Sequence, residues 1–430
     1  MLRKPNRLLI FLAAGMALAQ APPKLTLQEA VAIAIQSHPQ IQAAQNEANF
    51  AHQQIVINRS AYYPTVTGEI TGSQANDLSR IGAGTLPASR MFDRFGQGAM
   101  FSQLVTDSGR TPNLVASARL GAQASAQTLL ATRYDVVLQV NRSYFDVLHA
   151  QAVIKTAQQT IEARQTLADQ VTELAKNKLK SQLDVSFAEV NVSEAKLLLI
   201  RAQEALDASL AELGRAMGSD QPADHQLAEE SIPTLLPASP DDLIAQAVNN
   251  RPELAGLRFV RDSAYKFFEA EKDLARPTVS IVAVGGFLPF VNTPASSPIP
   301  AEYEGVAANV SIPVFNGHLF SARREAAHQR AMESDQRLRN EQQGIARDVR
   351  VAYGSAMTAF QRIDVTAQFL RQAALALDLA RGRYDLGLSS IVELTQAELN
   401  LTQAEIENLS AKYDYQRQNA VLQYTIGALR

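Results

Sequence analysis

The sequence predicts an α+β membrane protein built twice from one plan: short helices, a pair of amphipathic strands, then a long antiparallel α-helical hairpin. Three observations predict it. Residues recur at constant offsets along the chain, proline-poor runs far longer than an ordinary helix fill most of each half, and period-2 alternation is confined to short segments between the helices.

The repeat is numerical. At an offset of 213 the pairs Ala34/Ala247, Pro39/Pro252, Pro64/Pro277, Thr65/Thr278, Val66/Val279 and Gly72/Gly285 are identical. Beyond the loops the offset becomes 209 and joins Val140/Val349, Tyr144/Tyr353, Ala188/Ala397, Glu189/Glu398, Leu213/Leu422 and Gly218/Gly427. Two constant offsets that differ by one loop change define a tandem duplication over about 25–218 and 239–427. A period this long is no solenoid repeat, so each half is a whole structural unit.

Residues 1–19 read as a secretory signal. Arg3, Lys4 and Arg7 supply the positive region, Leu8–Ala17 the apolar run, and Ala17-Leu18-Ala19 the cleavage site. About ten apolar residues are too few to span a bilayer as a helix. Thr26-Leu27-Gln28-Glu29 is a capping box that opens the first short helix. Pro39 breaks it, and a second helix runs to about Ala61. Ser239-Pro240-Asp241-Asp242 opens the same arrangement again, with Ser as N-cap, and Pro252 takes the part of Pro39.

Each half then carries two strand-like segments. In Thr65–Gly72, Val66, Gly68, Ile70 and Gly72 alternate with Thr65, Thr67, Glu69 and Thr71. Val306–Ile312 alternates in the same way, while 97–106 and 277–287 are less regular. The connections 76–96 and 288–302 are rich in Gly, Ala and Pro, as exposed loops are.

The long arms follow. Leu129, Val136, Val140, Val147, Ile154 and Ile161 step by seven or four, a coiled-coil-like seam. After a turn near Lys178–Ser181 the series Ala188, Val192, Ala195, Leu199, Ala202, Leu206, Leu210 and Leu213 continues it. In the second half a run of about 65 residues from Phe320 has no proline, which at 1.5 Å per residue makes an arm of roughly 100 Å. It reverses at Arg383-Tyr-Asp-Leu-Gly-Leu-Ser-Ser, and a second arm runs on to Ile426. The exposed candidates at this reversal are Arg383, Leu386, Gly387, Leu388 and Ser389. Glu393 opens the returning helix, and its repeat partner is Asp184.

No catalytic, cofactor-binding or metal-ligating constellation stands out. The six histidines show no ligand spacing, and with no cysteine there is neither a disulfide nor a thiolate site. Phosphate-loop, dinucleotide and nucleophile-elbow motifs are missing, and a net charge of −3 argues against a nucleic-acid surface. The expectation is a conduit or scaffold, not an enzyme. Four amphipathic strands decide between forms of it. Strands in lipid must close into a barrel, and four cannot close around a lumen, so either the strands form a small soluble sheet or several copies each contribute four to one barrel. The signal segment, the apolar strand faces and the duplicated hairpins favour the second.

With these features in place the chain resembles the TolC family of outer-membrane efflux proteins over essentially its mature length. The resemblance rests on the order and spacing of several segments: Leu25–Ile41 (LTLQEAVAIAIQSHPQI), Tyr63–Val66 (YPTV), Ser311–Gly317 (SIPVFNG) and Arg383–Leu394 (RYDLGLSSIVEL). It implies a homotrimer whose twelve strands form an outer-membrane barrel meeting lipid. Long hairpins (108–218 and 317–430) form a helical barrel reaching through the periplasm, below β-hairpins at 63–107 and 277–316. Short helices at 20–62 and 219–276 form an equatorial belt. The family serves as the exit duct of efflux pumps or type I secretion, docked through a periplasmic adaptor (a membrane fusion protein) onto an inner-membrane transporter. On that resemblance the Arg383–Ser389 turn is the adaptor-docking tip, and Glu393 and Asp184 are periplasmic gate candidates.

The chain departs from the family's pattern in four places. Lys178 stands where the second tip has Gly387, so the first turn is less sharply specified. Gln396 stands where some members carry a second gate aspartate, so an acidic ring is thinner. A mature chain without cysteine carries no N-terminal lipid, and Arg430 follows the last helix without the extension some members have. Efflux of small molecules is the first expectation; metal efflux, type I protein secretion, or a soluble periplasmic coiled-coil scaffold are the alternatives.

Overall fold

The computed structural model describes residues 24–74, 80–81, 89–90, 94–223, 226–233, 239–291 and 300–429. The signal segment lies outside the described residues, as do 75–79, 82–88, 91–93 and 292–299 of the expected loops. The described parts of those loops are partly strand, because β4 begins at Arg94 and β5 runs on to Val291.

The element bounds restate the duplication. Helix α1 (Leu27–Ser37) and α2 (Pro39–Arg59) correspond at an offset of 213 to α5 (Pro240–Asn250) and α6 (Pro252–Asp273). Helix α3 (Arg110–Lys176) and α4 (Gln182–Ala216) correspond at 209 to α7 (Leu319–Asp385) and α8 (Ile391–Thr425), end for end. Both first arms therefore have 67 residues and both returning arms 35. The Thr26–Glu29 box forms as its sequence dictates, with Glu29 N–H donating to Thr26 Oγ1 at 3.3 Å and Thr26 N–H to Glu29 Oε2 at 2.9 Å. Ser239 differs: it sits at the N-cap of α5 in extended backbone but makes no side-chain cap bond. Asp241 and Asp242 in the first turn supply the negative charge that a helix N-terminus favours. Helix α2 stops at Arg59, and Ser60–Tyr62 form one 3₁₀ turn before the first strand.

The strands are β1 (Thr65–Ser73), the two-residue β2 (Arg80–Ile81) and β3 (Ser89–Arg90), β4 (Arg94–Thr106), β5 (Thr278–Val291) and β6 (Glu302–Ser311). The main sheet is antiparallel in the order β1-β4-β5-β6. Its register sorts the alternation onto faces. Val66 lies opposite Phe101, Phe101 opposite Ala283, and Ala283 opposite Val306, so one apolar row crosses all four strands. Ile70 and Val310 belong to that face, and Thr67, Met100, Val284 and Asn309 to the other. Val66, Ile70, Val306 and Val310 are all largely exposed, an apolar surface with nothing over it in the single chain.

Contacts divide the chain into two compact units that cut across the repeats. One comprises residues 37–139, 234–367 and 414–430 and carries the sheet. Its core joins Leu243 and Ala247 of α5, Leu254 of α6, Ile345, Val349 and Ala356 of α7, and Leu422 of α8. At the foot of the sheet lies a buried charge knot. Glu271, 2 % exposed, accepts from Arg323 Nε at 2.6 Å and Nη2 at 3.0 Å, with Arg110 at 3.8 Å. Asp273, 3 % exposed, pairs with Arg276 at 2.8 Å and accepts from Asn113 at 2.9 Å. Buried carboxylates need this number of partners, and removing one partner of such a pair costs about 3–5 kcal/mol.

The other unit comprises residues up to 36, 140–233 and 368–413. Here Tyr144 is fully buried, and its hydroxyl donates to the Leu25 carbonyl at 2.9 Å and the Ala228 carbonyl at 2.7 Å. The Ala/Val/Leu series of α4 is buried or half-buried throughout, as its spacing predicts.

Candidate functional site

The second unit contains both helix reversals, and every candidate residue lies at one of them. A helix that ends with its last carbonyls unpaired is closed by a residue in the left-handed region followed by a bond back five residues. At the second reversal Gly387 has φ +73, its N–H bonds the Tyr384 carbonyl at 3.0 Å, and Leu388 N–H bonds the Arg383 carbonyl at 2.8 Å. At the first, Lys178 has φ +62, its N–H bonds the Ala175 carbonyl at 2.9 Å, and Leu179 N–H bonds the Leu174 carbonyl at 2.9 Å. The two turns are one turn, residue for residue at offset 209. The expectation of a less sharply specified first tip is therefore corrected. Lysine adopts the conformation glycine adopts without strain, and the closing bonds hold it there.

The next residues separate the tips. Ser181 caps α4 through a full capping box: its Oγ accepts from Asp184 N–H at 3.2 Å, and Asp184 Oδ2 accepts from Ser181 N–H at 2.9 Å. Ser390 takes the equivalent place for α8, at 3.4 Å from Glu393 N. Glu393, one methylene longer, turns instead across the reversal and meets Arg383 Nε at 3.3 Å. Of the candidates, the structure thus joins Arg383 to Glu393 and ties Asp184 to its own cap. Leu386 and Leu388 stand 75 % and 66 % exposed at the end of the turn, and Ser389 is half-buried.

Three features here add to the sequence reading, and only the first was within its reach. Leu179, the repeat partner of Leu388, is 68 % exposed, so both tips present the same leucine; the offset of 209 alone was enough to find it. Lys180 Nζ lies 3.7 Å from the ring centroid of the buried Tyr384, a cation–π contact from the first tip to the second hairpin. Burial pushes the Tyr384 hydroxyl above its ordinary range, and the charges of Asp184 and Asp385 add to it. Behind the tips Leu167, Val171, Val185, Tyr384, Ile391 and Leu394 form one apolar cluster from all four arms. Nothing in the sequence marks residues of different hairpins as neighbours.

Among the described residues no group of His, Cys, Asp and Glu is arranged to hold a metal ion, and no helix is long and apolar enough to cross a membrane. The fold with its duplicated hairpins is matched by one family profile, described as outer membrane efflux protein, which aligns twice, over residues 30–219 and 243–428. The chain belongs to that family. The two matches fall one on each repeat. TolC of Salmonella enteritidis is 22 % identical over 301 residues; the alignment covers 68 % of this chain but 61 % of TolC, so this chain spans about three-fifths of that relative. The alkaline protease secretion protein AprF of Pseudomonas aeruginosa is 25 % identical over 418 residues, covering 94 % of this chain and 85 % of AprF. The solved structure of CusC superposes with a TM-score of 0.80 at 20 % identity, over 93 % of this chain and 92 % of CusC. This outer membrane efflux protein therefore has the TolC-like fold, helical hairpins joined to a small antiparallel sheet, and its place is the outer membrane.

Proposed function

We propose that this chain forms the exit duct of an envelope-spanning efflux pump. Three copies assemble, and three sheets of four strands close a twelve-stranded barrel in the outer membrane. The hairpins continue it as a periplasmic tunnel whose tips dock a periplasmic adaptor, itself seated on an inner-membrane transporter. Transport through the duct is passive, and the transporter supplies the energy.

One observation carries this reading: the sheet ends on β1 and β6 and holds a continuous apolar row from Val66 to Val306. An open sheet with an apolar face is unstable in lipid until its edges pair, and pairing β6 of one copy with β1 of the next closes it. The Leu179 and Leu388 tips give each chain two identical apolar contacts for an adaptor, and Glu393 and Asp184 give the assembly two sets of carboxylates at the opening between the tips. Similarity to the protease secretion protein AprF favours type I protein secretion as the second reading.

Face assignment tests the barrel. Ile70→Arg or Val310→Arg should cost roughly 2–4 kcal/mol near the bilayer midplane and lower the protein's level in outer-membrane fractions. Thr67→Arg and Asn309→Arg, on the opposite face, should leave that level unchanged. Equal levels for all four variants would show that the apolar row does not meet lipid.

A further inference from the structure

Arg164 of α3 is the most deeply buried arginine among the described residues, 4 % exposed in the wall behind the tips. Its Nη1 donates to the Asn191 carbonyl of α4 at 2.9 Å and lies 3.7 Å from Glu194 Oε2, whose side chain is half in solvent. Asn191, itself buried, donates from Nδ2 to Thr395 Oγ1 of α8 at 2.9 Å. One turn further along α8, Glu398 faces the same region, and the charges of Arg164 and Glu398 act on each other. Arg164 Nε and Glu398 Oε2 are both buried without a hydrogen-bond partner. A cavity of about 510 Å³ lies between the helices here, lined by Arg164, Arg381, Glu398 and Glu405 with Leu377 and Leu401.

The duplication shows that the fold does not require this arrangement. At offset 209 Arg164 corresponds to Ala373, which is buried, and Glu398 to Glu189, which is exposed. Thr395 corresponds to Ser186 and Asn191 to Asn400, both exposed. The second hairpin packs an alanine where the first packs an arginine, so the polar join occurs once per chain and links first hairpin to second. Burying charge where alanine suffices for packing costs stability, and such groups are kept where they hold a register or respond to a change.

We propose that Arg164, Asn191, Thr395 and Glu398 form a proton-sensitive seam between the two hairpins, packed while Glu398 holds its proton and loosened when it ionises. The proposal rests on the duct reading, because loosening the seam frees the second hairpin to swing and widen the opening between the tips. The charged groups facing Glu398 are Arg164 from α3, Glu194 beside it on α4, Arg381 from α7, and Glu405 on α8 itself. Burial raises the Glu398 carboxyl above its ordinary range, against the opposing pull of Arg164 and Arg381, and burial raises Glu405 as well. A raised carboxyl binds its proton more tightly in the packed seam than in water. The stabilisation is complete below the ordinary carboxylate range and is lost as pH rises through the raised value, so acid closes and neutral pH loosens.

The test uses the purified full-length protein and two readouts from about pH 4 to about pH 8. In planar bilayers the open fraction of the wild type should rise several-fold with pH. Glu398→Gln, a fixed stand-in for the protonated acid, should remain at the low, acid value throughout. In thermal unfolding the wild-type midpoint should fall with pH relative to Glu398→Gln over the same window, and Arg164→Lys should retain the wild-type trend. Glu189→Gln, which changes the exposed repeat partner of Glu398, should leave both trends intact. A Glu398→Gln variant with wild-type trends in both readouts overturns the seam, and so does a lost unfolding trend beside an unchanged conductance trend, since the seam then titrates without moving the hairpins. If no variant, wild type included, conducts, the duct reading fails instead, and the unfolding trend alone decides whether the seam binds a proton.

Discussion

The two helix reversals are the same turn with different chemistry after it. Both close α-helices with a left-handed residue and paired back-bonds, at Lys178 and Gly387, and both present a leucine to solvent, at Leu179 and Leu388. They part at the acid three residues into the returning helix. Asp184 is short enough to close a capping box on Ser181, whereas Glu393 reaches across to Arg383, for which the first tip has Leu174. One acid stabilises its own helix and the other ties two arms together. Duplication preserved the backbone and left the side chains free to divide the work.

Breaking the shared feature should have the largest effect. Leu388→Asp is expected to abolish export while leaving assembly intact, and Leu179→Asp to reduce it severely, measured as restored drug sensitivity in cells with normal outer-membrane levels of the protein. Full export by either variant would mean that its leucine only ends a turn. The turn residues come next. Gly387→Ala places a side chain at φ +73 and should lower stability by about 1–2 kcal/mol, while Lys178→Gly should raise it by about 0.5–1 kcal/mol after the loss from a more flexible unfolded chain. Thermal unfolding reads both, and equal shifts of one sign would contradict the equivalence of the turns. The smallest effect sharpens the difference. Glu393→Gln should lower cation selectivity in planar bilayers, because three such carboxylates would gather at one opening, and adding Asp184→Asn should lower it further. Unchanged selectivity in the double variant would reduce both acids to helix-end charges.

Much of this was legible in the sequence because backbone geometry repeats with the residues that specify it. Pro39 and Pro252 start equivalent helices, the alternation of Val66 and Ile70 with threonines sets the sheet faces, and the offset of 209 gives arms that end within the same turn. The tip residues Arg383–Ser389 were visible for the same reason, since a glycine between leucines interrupts a long proline-free run. What stayed hidden lies between hairpins. Lys180 over Tyr384, and Arg164 through Asn191 to Thr395, join residues some 200 positions apart with no common period. The charge knot of Glu271, Arg323 and Arg110 is of the same kind, because each member alone looks like an ordinary solvated charge. Lys178 misled for another reason: propensity disfavours lysine in the left-handed region, and two closing hydrogen bonds outweigh that preference.

The central claim is that one chain is an incomplete wall and that copies of it complete a membrane duct. The most direct test is the detergent-corrected mass of the protein extracted from outer membranes, by light scattering or native mass spectrometry. Three chains per particle, insoluble without detergent, is the predicted result. A monomer that stays in solution without detergent would contradict it.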